Sequence, residues 1–178
     1  MSAILKFLPN LKFNKNLKSK RNTKSSKATI NCPIALQWII SEERLKALKE
    51  KQNEFLESEI FDGCGFKYSL TIYPNGDGKT KIGQTRIFLR LYLQQNAKKI
   101  DAEFCLTIES AKYSNKMNHT FDKSKGWGIK CCSTEKLFDS KRKFIVDGIL
   151  TIRVEGVLKV TKLMKDEEES AWNSRDFA

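Results

Sequence analysis

Hydrophobic and polar residues alternate along several short segments of the chain, with the two-residue period of a half-buried β-strand. In the clearest segment, residues 85–93, one face is aliphatic and the other holds two arginines and two aromatic residues. The first face comprises Ile87, Leu89, Leu91 and Leu93, and the second comprises Arg86, Phe88, Arg90 and Tyr92. Further strands are predicted at 36–40, 66–72, 102–108 and 149–160. Gly156 interrupts the last of these and is compatible with a β-bulge.

Helical spacing is confined to two places. Ser41 with two acidic residues behind it predicts a helix start, and apolar residues then recur to Leu56 among Lys and Glu. We therefore predict one short N-terminal surface helix that ends before Asp62. A single helical turn is predicted at 133–139.

Short strands separated by turns predict an all-β sandwich or barrel. The 178 residues suit one folded domain. We assign residues 1–32 to a basic, flexible N-terminal tail, 33–163 to the domain and 164–178 to an acidic, flexible C-terminal tail. No window of about 18 apolar residues occurs, so a membrane-spanning helix is not expected.

Positive charge is concentrated at the N-terminus. Residues 1–30 hold eight basic residues and no acidic one, so subtracting eight from the net charge of +12 leaves +4 for the rest. This segment is compatible with a weak polyanion-binding or nuclear-import patch, with a mitochondrial presequence, or with a solvated tail. The candidate polyanion-binding residues are Lys18, Lys20, Arg21, Lys24 and Lys27.

The sequence offers little for catalysis, cofactor binding or metal binding. It has one histidine, His119, no Cys-x-x-Cys pair and no Gly-x-Ser-x-Gly motif. Gly78-Lys79-Thr80 copies the end of a phosphate-binding loop, but Tyr73 stands where that motif requires glycine, and the segment joins two predicted strands. We predict a protein that is not an enzyme and that needs no cofactor or metal. The five cysteines fit buried thiols in a reducing, intracellular compartment.

The order of several motifs resembles the MATH domain, also called the meprin and TRAF homology or TRAF-C domain. The matching segments are Leu36-Gln-Trp-Ile39, residues 58–61, Tyr68-Ser-Leu-Thr-Ile-Tyr-Pro-Asn-Gly76, Ile87-Phe-Leu-Arg-Leu91, Ala102-Glu-Phe-Cys-Leu-Thr-Ile108, Gly126-Trp-Gly-Ile129, Leu137-Phe138 and residues 144–152. The resemblance covers about residues 34–163 and implies an eight-stranded antiparallel β-sandwich.

The resemblance also implies a surface groove that binds short extended peptides without catalysis. In adaptor members of the family that present substrates to ubiquitin ligases, the groove positions correspond here to Phe88, Phe104, His119, Lys125, Trp127, Ile129 and Lys130. Two assignments stay open, because the parity of Phe104 also fits a core residue and Trp127 is either a groove anchor or a core plug.

The expected partners are therefore short linear motifs of other proteins, together with components of a ubiquitin ligase. Lys123, Lys125 and Lys130 near Trp127 favour acidic or phosphorylated Ser/Thr-rich ligands, or are solvated loop lysines. The alternative function is a nuclear or nucleic-acid-associated factor that acts through its basic tail. Arg86, Phe88 and Arg90 could support nucleic-acid binding, but the low net charge of the folded part disfavours it. Cytoplasm and nucleus are the expected compartments.

Overall fold

The computed structural model describes residues 27–78, 81–93 and 99–163. Within them, nine strands form two antiparallel sheets that enclose one hydrophobic core. The strands are β1 (Lys27–Ser41), β2 (Leu56–Glu57), β3 (Phe61–Gly63), β4 (Phe66–Tyr73), β5 (Gln84–Tyr92), β6 (Ile100–Ile108), β7 (Tyr113–Phe121), β8 (Lys125–Ser133) and β9 (Ile149–Leu163). The helices are α1 (Glu42–Lys46) and α2 (Thr134–Phe138), with 3₁₀ turns at Glu109–Ala111 and Ser140–Arg142.

Sheet A has the strand order β1-β9-β6-β7. Its long strands β1 and β9 pair from Lys27 opposite Leu163 to Ser41 opposite Ile149. Every second residue from Cys32 to Ile40 is buried, which fits the predicted alternation. Residues 27–32, which the sequence analysis placed in the tail, therefore belong to a strand. Residues 1–26 and 164–178 lie outside the described part.

Sheet B has the order β2-β4-β5-β8, and β3 also pairs with β4. β2 and β3 lie along the same edge of β4, Leu56 opposite Ile72 and Phe61 opposite Tyr68. Ser58 lies between them and accepts a hydrogen bond at its hydroxyl from the Leu70 amide at 3.0 Å. The two short strands thus fill one strand position, and the predicted eight-stranded sandwich is confirmed with one of its strands in two pieces.

Both predicted helices are present, but the first is shorter than predicted. α1 starts at its Ser41 cap, whose hydroxyl accepts a hydrogen bond from the Arg44 amide, and ends at Lys46. Phe55 and Leu56 are not helical, and Leu56 begins β2. The helical spacing of these apolar residues was misleading, because Phe55 and Leu56 contact β4 of sheet B and do not extend the buried stripe of α1. α2 forms the predicted helical turn, with Ser133 as its N-cap.

The bulge expected at Gly156 is absent from β9, which keeps a regular register there, with Ile34 on one side and Phe104 on the other. A Cβ atom at Gly156 would lie 2.3 Å from the Glu103 carbonyl oxygen, so glycine is required for close strand approach. The register irregularity lies instead between Thr85 and Arg86, where β5 pairs with β8.

Candidate functional site

One flank of the sandwich is bordered by the edge strands of both sheets. β7 is the last strand of sheet A, β8 is the last strand of sheet B, and residues 122–124 connect them. An edge strand carries backbone N–H and C=O groups that no neighbouring strand uses. We call this region of β7 and β8 the open flank.

Two aromatic side chains meet at the open flank. The imidazole ring of His119, on β7, stacks on the indole ring of Trp127, on β8, with 3.8 Å between centroids and 6° between planes. His119 also makes an edge contact with the buried ring of Phe121, with centroids 4.8 Å apart. Trp127 is nevertheless 43% exposed. The stack therefore has a buried base and an accessible indole.

The backbone explains why Trp127 occupies this position. Trp127 pairs with Leu89, whose side chain is fully buried, and paired residues of an antiparallel sheet point to the same side. Trp127 thus points toward the space between the sheets and reaches the surface because β8 is an edge strand. The glycine that follows it, Gly128, is needed because a Cβ there would lie 1.9 Å from the Ile87 carbonyl oxygen.

Charged residues in the β7–β8 connection and at the start of β8 act on this stack. The ammonium group of Lys125 lies 2.9 Å from the Asp122 carboxylate, and this hydrogen bond lowers the pKa of Asp122. The pKa of His119 is lowered, first by partial burial and then by the positive charge of Lys125. The neutral imidazole is therefore the favoured form in the stack. Its Nε2 atom is buried and makes no hydrogen bond to any described residue.

The remaining predicted residues of β8 divide between its two sides. Ile129 pairs with the buried Ile87 and shares the side of Trp127, half-buried. Lys130 pairs with Arg86 and is exposed on the outer face of sheet B. The structure thus brings His119, Lys125, Trp127 and Ile129 together at the open flank, and it places Lys130 on the other side of the strand.

Phe88 does not share a groove with Trp127. It alternates with the buried residues Ile87 and Leu89, so its half-buried ring lies on the outer face of sheet B. The expectation of one groove holding both rings is therefore corrected. Sequence spacing alone did not show that Trp127 pairs with Leu89 rather than with Phe88.

Phe88 belongs instead to an outer aromatic cluster that includes two residues missed by the sequence analysis. Tyr73 contacts both Phe88 and Phe55, with centroid separations of 5.6 and 5.2 Å. The Arg86 guanidinium lies over the Phe88 ring at 5.4 Å. The polar-face parity of Tyr73 in β4 was the available signal, whereas Phe55 had been assigned to the helix.

The arginines of the outer face already have acidic neighbours. Nε of Arg86 lies 3.1 Å from the Asp77 carboxylate, and Nε of Arg90 lies 3.7 Å from that of Glu57. The Tyr92 hydroxyl also donates a hydrogen bond to Glu57. This compensation of charge disfavours the row as a phosphate-binding surface for nucleic acid.

Phe104 lies in the core rather than at the surface. It is 4% exposed, in a β6 row whose other members, such as Ala102 and Leu106, are also buried. Of the two alternatives for Phe104, the core residue indicated by the alternation is therefore correct. Its ring is not available to a ligand at the open flank. The physical reason is that Gly156 on the neighbouring strand leaves room for the Phe104 side chain in the core.

The predicted polyanion-binding residues are largely outside the described chain. Lys18, Lys20, Arg21 and Lys24 lie there, and Lys27 is the first residue of β1. In the described ranges, no group of three or more His, Cys, Asp or Glu side chains could hold a metal ion. Those same ranges contain no helix with the length and apolar character needed to cross a membrane.

Comparisons with known proteins give a family and a structural neighbour. A family model described as MATH domain matches residues 37–155. Among solved structures, TRAF5 of Notothenia coriiceps is similar, with a TM-score of 0.48 and 18% identity over 68% of this chain and 72% of that chain. The search of curated proteins gives no match.

Proposed function

This chain belongs to the MATH domain family, a family of protein-interaction modules, and from that premise we propose that it binds extended peptide segments of other proteins at the open flank. The observation that carries the proposal is the exposed Trp127 ring stacked on His119 between two edge strands.

The proposed binding mode follows from the chemistry of the flank. A peptide in extended conformation can form hydrogen bonds with the backbone groups of β8 that pair with no described strand, and these bonds fix its register. One of its side chains then packs on the accessible indole of Trp127, next to the half-buried Ile129. Aromatic residues at the centre of a small interface commonly supply much of the binding energy. The interface is small, so micromolar affinity is expected for a single peptide.

A comparison of alanine variants on two surfaces tests this proposal. Peptides selected on the full chain from a random library should bind to the Trp127→Ala variant at least about tenfold more weakly, as measured by fluorescence polarisation. The matched variant Phe88→Ala removes an aromatic ring from the outer face and should leave affinity unchanged. Loss of binding in Phe88→Ala, with Trp127→Ala unaffected, would move the site to the outer aromatic cluster and refute the proposal.

We further propose that the captured protein is presented to a ubiquitin ligase, as in the adaptors that the sequence resembles. Family membership is the only support for this step. Proteins captured by the wild type should gain ubiquitin when the chain is expressed with them, and the Trp127→Ala variant should lose this effect. Capture without any gain of ubiquitin would remove the ligase connection and leave peptide binding intact.

Residues 1–26 provide a separate test of the alternative function. β1 begins at Lys27, so deletion of residues 1–26 keeps every described strand. Retention on a polyanion column should fall after the deletion, because seven of the basic residues of the chain are removed. Peptide affinity should be unchanged, and a joint loss of both activities would contradict a site at the open flank.

A further inference from the structure

A second surface of the chain gathers positive charge around a cleft. The cleft has a volume of about 540 Å³ and lies where β8 ends and α2 begins. Its basic residues come from three consecutive elements: Lys130 from β8, Lys136 from α2, and Lys141 and Arg142 from the 3₁₀ turn. We call it the basic cleft. All four side chains are exposed, so they are accessible to a ligand.

Most of this charge has no acidic partner among the residues that the structure describes. Nε of Arg142 lies 3.8 Å from the Asp139 carboxylate. In the described ranges, no salt bridge joins Lys130, Lys136 or Lys141 to a carboxylate, whereas Lys46, Lys125 and Lys159 each have one. The basic cleft therefore keeps about three uncompensated positive charges within a short stretch of the chain.

The floor of the basic cleft is partly apolar. It is formed by the buried Cys132 and Phe144, with the half-buried Cys131 and Ala111 beside them. The pKa of the Cys132 thiol is lowered, chiefly by a hydrogen bond with Cys131, and the charges of Lys136 and Lys130 act in the same direction. The floor therefore consists of thiol and apolar side chains below the basic rim.

The chemistry of the cleft favours a phosphomonoester. A phosphorylated Ser or Thr carries close to two negative charges and three strong acceptor oxygens, which match several converging ammonium groups. A single carboxylate would compensate only one of them.

The basic cleft and the open flank lie along the same strand, β8. Trp127 and Ser133 lie on the same strand, and six residues of strand span about 20 Å at about 3.3 Å per residue. An extended peptide along β8 with one residue on Trp127 would therefore place a residue three to six positions away at Lys130 or in the cleft. We propose that the basic cleft binds a phosphorylated Ser or Thr of the peptide that lies along β8. This inference rests on the proposed function.

The peptide test compares three forms of one peptide selected on the full chain. The peptide residue that contacts Trp127 is first identified as the one whose contribution to affinity is lost in Trp127→Ala. Serine, phosphoserine and glutamate are then placed in turn three to six residues on either side of it. At one of these positions, phosphoserine should bind about tenfold more tightly than serine, and glutamate should gain less. The triple variant Lys130→Gln, Lys136→Gln, Lys141→Gln should remove this gain and leave the affinity for the serine form unchanged.

A control variant removes the same charge elsewhere. Arg44, Lys51 and Lys67 are exposed and lie outside both the cleft and the open flank, so their triple change to Gln should keep the phosphoserine gain. Equal loss in both triple variants would mean a general effect of charge, and no gain with phosphoserine at any position would overturn the proposal. Trp127→Ala should weaken all forms alike. If Trp127→Ala left the affinity for the phosphoserine peptide unchanged, the result would support the basic cleft as an anion site and refute peptide binding at the open flank.

A measurement without any peptide covers the case in which none is selected. Phosphoserine at millimolar concentration should shift the backbone amide signals of residues 130–133 and 136–142 in the full chain, with saturation. The cleft triple variant should lose these shifts, and the control triple variant should keep them. Free sulfate producing the same shifts at the same concentration would indicate a site for any dianion. Absence of shifts in the wild type would refute the cleft as an anion site.

Discussion

The ring of Trp127 lies parallel to the ring of His119, 3.8 Å between centroids, although the two residues belong to edge strands of different sheets. The stack joins the sheets where neither has a further strand in the described part of the chain. Because it fixes one face of the indole, the other face is held in position for a ligand, and less side-chain entropy is lost on binding.

The environment of His119 in the stack predicts that the free energy of unfolding depends on pH. Burial and the charge of Lys125 lower the pKa of His119, so the unfolded chain takes up this proton at higher pH than the folded chain. The contribution of the neutral imidazole to stability is therefore complete above the ordinary histidine pKa, about 6.5, and is lost as pH falls through the lower folded-state value. The free energy of unfolding of the wild type should decline over this window relative to His119→Gln.

The measurement is direct because His119 is the only histidine in the chain. Its ring signals can be followed by NMR through a titration, with chemical denaturation of wild type and His119→Gln at each pH. A folded-state pKa at or above 6.5 would contradict the effect of burial and of Lys125.

Phe104 and Phe88 should respond differently to truncation. Phe104 is 4% exposed in the core, so Phe104→Ala should reduce the free energy of unfolding by about 3–5 kcal/mol. Phe88 is half-buried on the outer face, and Phe88→Ala should cost clearly less. Urea denaturation of both variants checks this. A Phe104→Ala variant of wild-type stability that fails to bind peptide would return Phe104 to the binding surface.

Much of the sandwich was predictable because alternation determines which face of a strand is buried. In β5 it correctly separated Ile87 and Leu89 from Phe88. The face of Trp127 was not predictable, because glycines on both sides of it leave no pattern and only pairing with Leu89 assigns it. The basic cleft was missed for a similar reason: Lys130, Lys136 and Lys141 are near one another only through the turns at α2 and the 3₁₀ segment.

Two buried threonines should show coupled effects on stability. The hydroxyl groups of Thr85 and Thr134 both donate to the carbonyl oxygen of Pro74, at 3.0 and 2.7 Å, and tie the β4–β5 connection to α2. Either change to Val leaves this carbonyl with one donor and should cost about 1 kcal/mol. The double variant leaves it without a hydroxyl donor, so its cost should exceed the sum of the single costs.

A double-mutant cycle by urea denaturation measures this coupling. Thr151→Val is a suitable control, because Thr151 is only half-buried and lies on β9, in the other sheet. Strict additivity of Thr85→Val and Thr134→Val would mean that the two hydroxyl groups do not share one acceptor.

Gly156 should be intolerant of any side chain. A Cβ there would lie 2.3 Å from the Glu103 carbonyl oxygen and 2.6 Å from the Phe104 Cβ, and neither atom is the end of a flexible side chain. Gly156→Ala therefore forces β6 and β9 apart and should cost at least about 1–3 kcal/mol. At Gly78 a Cβ would meet no atom of the described residues within 4 Å, so the stability of Gly78→Ala should stay close to wild type. Equal stabilities of the two variants by thermal and urea denaturation would contradict the close approach of β6 and β9.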